Sequence, residues 1–115
     1  MLLVLAALLT IVADGDTVTI SGDRIRIANI DAPELTRAQC DAERRLAIVA
    51  KRRMAELLGS GTIRVTVGDP RDGRRRDRYG RTLATISVDG RDVGEIMVAE
   101  GLARPWDGKR HPWCD

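Results

Sequence analysis

Apolar and polar positions alternate or cluster in five short runs, at about residues 8–13, 16–21, 24–30, 62–67 and 82–88, and each reads as a strand. Arg24-Ile25-Arg26-Ile27 and Thr62-Ile63-Arg64-Val65-Thr66-Val67 alternate strictly, the pattern of a strand with one buried face. Turn chemistry punctuates the runs at Asp14-Gly15, at Ser21-Gly22-Asp23 and, closing the last of them, at Asp89-Gly90. Between the third and fourth runs the period changes. Leu46, Ala50, Met54 and Leu57 recur at spacings of four, four and three, which predicts a helix over about 42–58 ended by Gly59. A second helix, about 93–100, opens on Asp92 as N-cap with Glu95 three residues on, a capping-box arrangement, and stops at Gly101. The expected fold is an α+β one. It is a five-stranded, partly open Greek-key barrel of the OB type, with a helix between strands three and four and a second helix near the C-terminus.

The 115 residues have room for one domain, taken as 1–115, with a single core, and 43% hydrophobic and 31% charged residues exclude wholesale disorder. The apolar stretch Met1–Ala13 is shorter than the ~20 residues a bilayer-crossing helix needs, so no transmembrane span is expected. It has the length of a signal-peptide core but no basic flank; Leu8–Ala13 is read as the first strand and Met1–Ala7 as the remnant of an export signal or anchor. A single histidine, His111, excludes any mechanism built on two imidazoles, and with two cysteines it is too little for a closed zinc site. Phosphate-loop and serine-hydrolase signatures are missing from the sequence. Cys40 and Cys114 are either a disulfide across most of the chain or two buried thiols. A bridge would fit an oxidising compartment, and a secreted or periplasmic location is the favoured expectation.

A net charge of +2 hides an asymmetry: residues 1–35 sum to −3, residues 36–81 to +7 and residues 82–115 to −2. A basic middle between acidic ends suggests a polyanionic partner. The plainer reading is that Arg44, Arg45, Lys51, Arg52 and Arg53 coat the solvated face of a helix. The stretch Asp69–Arg78 reads as an exposed loop, too charged to bury.

Three segments concentrate polar groups at strand ends: Asp14-Gly15-Asp16-Thr17, Arg26 to Glu34, and Asp77 to Ala84. Asp16 follows a tight turn and Asp31 ends a strand, while Pro33 biases Ala32 to an extended backbone. Two carboxylates and the Ala32 carbonyl make a hard oxygen set suited to Ca²⁺. Glu34, three residues beyond Asp31, is a candidate general base. Arg26, pointing away from the face that Ile25 and Ile27 bury, and Arg81 are candidates to clamp a phosphodiester. Singly, each has a plainer role as turn acid, strand-end cap, first-turn glutamate or structural ion pair.

Together, DGDT at 14–17, RIANIDAPE at 26–34, DRYGR at 77–81 followed by TLA, and VAEGLA at 98–103 resemble the staphylococcal-nuclease-like, or thermonuclease, family, in family order from about Ile11 to Arg104. The resemblance implies a Ca²⁺-dependent phosphodiesterase acting on DNA and RNA with little sequence specificity and leaving 3′-phosphate ends. Asp16, Asp31 and the backbone carbonyl of Ala32 match the calcium ligands, and Ala32 stands where the best-known member has threonine. Glu34 matches the general base, Arg26 and Arg81 the catalytic arginines, and Tyr79 and Arg78 the groups beside the nucleotide phosphate. The tyrosines that line the family's base pocket have no clear counterpart; Trp106 is either a stacking face or ordinary core or rim packing. With Tyr79, Trp106 and Trp113 the only aromatics, affinity is expected from phosphate charge. The alternative is a non-catalytic nucleic-acid-binding module on the same barrel, against which the complete acid and arginine set argues. A monomer with no stable protein partner is expected.

Overall fold

The computed structural model describes residues 9–115; the expected export remnant at Met1–Ala7 and the first residue of the expected first strand lie outside them. Strands β1 (Thr10–Asp14), β2 (Thr17–Ile20) and β3 (Asp23–Ile27) form an antiparallel meander. Ser21 and Gly22 turn it with φ of 50° and 84°, the left-handed pair that a two-residue hairpin of matching twist requires. A two-residue strand β4 (Ile30–Asp31) leads to helix α1 (Asp41–Leu58), then β5 (Ile63–Val67) and β6 (Thr82–Val88). Strand β7 (Arg91–Asp92), helix α2 (Val93–Ala99) and strand β8 (Arg104–Pro105) complete the chain. The main sheet runs β1-β2-β3-β6-β5, with β3 and β6 parallel and β7 hydrogen-bonded to β6; β4 and β8 form a separate antiparallel pair. No ladder joins β5 back to β1 among the described residues, so the barrel stays open there.

The expected strand over 24–30 is two strands. Ile27 and Ala28 are both buried, which breaks the alternation. Ala28 N–H bonds the Ala84 carbonyl, while the Asn29 carbonyl accepts from Trp106 N–H, and the chain turns out of the sheet there. Asp31 is thereby carried onto β4 and held against Arg104 of β8. Arg81 lies one residue before β6, which matches the run expected over 82–88.

Val18, Ile25, Ile27 and Ile86 from the sheet meet Met54 of α1 and Met97 of α2 in one core, each at most 2% exposed. The buried stripe of α1 runs Glu43, Ala47, Ala50, Met54, Leu57, so a carboxylate occupies its first position. Cys40 caps this helix, its sulfur accepting from Glu43 N–H at 3.4 Å. Cys40 and Cys114 are bridged, Sγ–Sγ 2.02 Å, which resolves the two alternatives in favour of the disulfide. Across a separation of 74 residues, loop-closure entropy puts its stabilisation at about 4 kcal/mol.

The basic face of α1 follows the plainer reading in part. Arg44 pairs with Asp41, and Arg53 pairs with Glu56 and with Glu100 of the residue following α2. The Asp69–Arg78 loop is exposed except at Asp69 and, in part, Asp77. Asp69 is 4% exposed and organises the loop from within, its carboxylate accepting from Arg71 N–H at 2.9 Å.

Candidate active site

The turn between β1 and β2 sets the first acid. A side chain at Gly15 would meet the β-carbons of Ala32 and Ala50 at 3.0 and 3.1 Å, tighter than ordinary contact, so glycine suits the close approach of this turn to them. Asp16 is consequently drawn inward, 7% exposed. Its Oδ2 accepts from Ala32 N–H at 2.8 Å and its Oδ1 from the Thr17 hydroxyl at 3.1 Å. Asp31, 3% exposed, faces it from β4, and its Oδ1 is buried without a hydrogen-bond partner.

Arg26 lies between the two acids, Nη2 at 3.6 Å from Asp16 Oδ2 and 4.0 Å from Asp31 Oδ1. Its Nη1 donates to the Ile30 carbonyl at 2.8 Å and also to that of Ile27, so main chain fixes the guanidinium plane. Arg81 approaches from the other side. Its Nε donates to Asp77 Oδ2 at 2.7 Å, and its Nη1 reaches Thr17 Oγ1 at 3.5 Å, linking it through that hydroxyl to Asp16. Tyr79 is 60% exposed beside it, with the Arg81 and Arg78 guanidinium carbons 5.5 and 5.0 Å from its ring centre. Arg78 also donates to the Tyr79 hydroxyl at 2.9 Å.

Glu34 sits on the loop beyond Asp31. The carboxylate of Glu43 fixes that loop by accepting from Glu34 N–H at 3.0 Å and Gln39 N–H at 2.9 Å. Glu34 Oε1 in turn accepts from Arg110 Nη2 at 2.8 Å. The fold thus gathers Asp16, Asp31, Ala32, Arg26, Glu34 and Arg81 at one mouth of the barrel, with Arg78 and Tyr79 at its rim.

The electrostatics are those of crowded acids. Burial pushes the Asp31 carboxyl above its ordinary range and the charge of Asp16 adds to this, with Arg110 and Arg26 opposing. Burial raises Asp14 too, Leu35 N–H opposes, and Asp16 and Glu34 add repulsion. An unpartnered buried carboxylate oxygen, a facing aspartate and an adjacent main-chain carbonyl form a donor set that fits a hard divalent cation. No trio of acid, histidine or cysteine side chains closes on one point among the described residues. Two carboxylates and one carbonyl are fewer than the roughly six to eight oxygens that calcium takes, so such an ion would keep positions for water and substrate.

The profile of staphylococcal nuclease homologues matches residues 24–112. The chain belongs to this family. Among relatives of the staphylococcal nuclease homologue, it is 41% identical over 95 residues to the SPbeta prophage-derived endonuclease YokF of Bacillus subtilis, covering 79% of this chain and 31% of YokF. It is 37% identical over 95 residues to endonuclease YncB of the same organism, 79% of this chain and 43% of YncB. With a micrococcal nuclease of Shigella flexneri it shares 30% over 105 residues, 80% of this chain and 53% of the relative. The chain spans about half or less of the length of these relatives.

Two contributors to this staphylococcal-nuclease-type site, Glu43 and Arg110, escaped the reading of the sequence. Glu43 was visible in principle, as an acid on the helix stripe that also carries Ala50, Met54 and Leu57. Trp106, partly buried, lies with its ring 5.6 Å from the Arg26 guanidinium carbon and 5.9 Å from that of Arg71, so it packs between arginines at the rim. Arg110 had no local signal, since its partner lies 76 residues away.

Proposed function

We propose that this chain is a calcium-dependent nuclease that hydrolyses phosphodiester bonds of DNA and RNA with little sequence preference, leaving 3′-phosphate ends. The observation that carries the reading is the placement of one guanidinium, Arg26, within 4.0 Å of both buried aspartates. Family membership and the endonuclease names of the relatives support it. Asp16, Asp31 and the Ala32 carbonyl would hold Ca²⁺, which when bound supplies Lewis-acid polarisation of a phosphate oxygen.

The remaining work falls to the chain's own groups. Glu34 takes the proton of a water attacking phosphorus, and the bond from phosphorus to the 5′ oxygen breaks, the leaving oxygen taking up a proton from solvent. Arg26, its plane fixed by two carbonyls, and Arg81, fixed by Asp77, donate to the non-bridging oxygens as negative charge gathers there. Arg78 and Tyr79, exposed at the rim, hold a neighbouring phosphate. The disulfide supports an oxidising setting, secreted or periplasmic, and the enzyme works as a monomer.

Digestion of plasmid DNA and of RNA in calcium against a chelator tests the reading, with Glu34→Gln alongside. Cleavage is expected in calcium only, and loss of the base should slow it ~10²–10⁴-fold. A Glu34→Gln protein as fast as the parent removes Glu34 from the mechanism. Retention of nucleic acid without any cleavage would make the domain a binding module.

A further inference from the structure

We propose that Arg110 is a positioning residue for Glu34, presented to it by the bridged C-terminal segment; the proposal rests on the reading of Glu34 as general base. An isolated ion pair as exposed as this one would contribute little, because two long side chains must be ordered to make it. Here much of that ordering is done elsewhere. The segment from Arg104 onward is tied down at both ends. At one end β8 pairs with β4, and Trp106 N–H bonds the Asn29 carbonyl at 3.0 Å. At the other, Cys114 is joined to Cys40 at the start of α1.

Between these anchors, Arg104 donates to the carbonyls of His111 and Pro112 at 3.1 and 3.0 Å, and its guanidinium carbon lies 3.8 Å from the centre of the Trp113 ring. His111 Nε2 lies 2.7 Å from Asp107 Oδ2, closing the turn that carries Arg110. The partner is equally prepared, since Glu43 holds the main chain of Glu34 from below. Among the described residues, the bond from Arg110 to Glu34 is made through Oε1. The contact therefore sets the direction of the carboxylate while its second oxygen is left to receive a proton. Arg110 also adds positive charge to the field at Asp31. A carboxylate on an exposed loop needs such a guide, because a misplacement of about 1 Å at a reacting group costs up to ~10²-fold in rate.

A double-mutant cycle on the full-length protein tests this, with kcat and KM measured on a fluorogenic oligonucleotide and folding checked by circular dichroism. Arg110→Ala should lower kcat about tenfold, change KM less than about threefold and leave the melting temperature within about 2 °C. Arg110→Lys, which keeps the charge on a long stem, should recover part of the loss. In the Glu34→Gln background the same Arg110→Ala change should have almost no further effect. An equal loss in both backgrounds, or one confined to KM, makes Arg110 a direct phosphate contact and overturns the proposal. So does an Arg110→Ala enzyme with unchanged kcat beside an impaired Glu34→Gln. If Glu34→Gln itself cleaves at the parent rate, the reading of Glu34 fails first and the role of Arg110 falls with it.

Discussion

At the barrel mouth, Arg26 is 12% exposed, pinned by two main-chain carbonyls and flanked by two buried aspartates. In the loop that ends at Arg81, charge is held by short-range devices instead. Asp69, Asp72 and Asp77 each accept from a backbone N–H two residues on, and Arg74, Arg75, Arg76 and Arg78 stand in solvent. One region spends fold stability to fix a single cation; the other displays many cations at small cost. On the proposed reading, the difference separates chemistry from capture. Charge that must meet a transition state is immobilised in a dry setting, whereas charge that only has to attract a polyanion stays hydrated.

The sharpest way to break the comparison is Arg26→Ala. Two buried carboxylates would then face each other uncompensated, so single-turnover cleavage should fall ~10²–10³-fold and thermal stability should drop. Arg26→Lys should not restore the rate, because one ammonium cannot serve the two carbonyls and the two acids at once.

Asp77→Asn probes the join between the regions, and a smaller loss of about tenfold is expected as Arg81 loses its charged partner. Partial burial opposes ionisation of Asp77, yet the N–H and guanidinium of Arg81 and the N–H of Tyr79 bring its carboxyl below the ordinary range. The unfolded chain then takes up this proton more readily than the native one. Its stabilising contribution is complete above about pH 4 and lost as pH falls through the folded value. Melting curves should show the gap between parent and Asp77→Asn narrowing as pH falls below about 4.

The smallest effect belongs to the displayed cations. Arg74→Ala and Arg75→Ala should each reduce the slope of log affinity against log salt by roughly one, with kcat unchanged, as read by binding titrations at several salt concentrations.

Legibility in the sequence followed the range of the interaction. Strict alternation at Arg24–Ile27 and 62–67 and the left-handed turn at Ser21-Gly22 are local; the strand expected over 62–67 lies within a residue of its bounds, and β3 starts within one residue of expectation but ends three residues short, where the alternation breaks. That Asp16, Arg26, Asp31 and Arg81 come together was legible only through the resemblance carried by DGDT, RIANIDAPE and DRYGR, since singly each of these residues has a plainer role. Strands β4 and β8 were not, since two residues have no period and form only through each other. Arg110 and the pairing of Cys40 with Cys114 depend on where the last segment docks, which no local pattern encodes. Asp69 was hidden by composition: in so charged a run, nothing distinguishes the one acid that folds inward.

The parallel register of Ile25 with Thr82 and Ile27 with Ala84 has a consequence for biosynthesis. When the ribosome has added residue 80, the meander and the long helix are already made, but the central strand of the sheet still lacks its neighbour. Fragments ending in the arginine loop should stay protease-sensitive, and refolding should be slow for a protein of this size, since the nucleus awaits a contact between distant parts of the polymer.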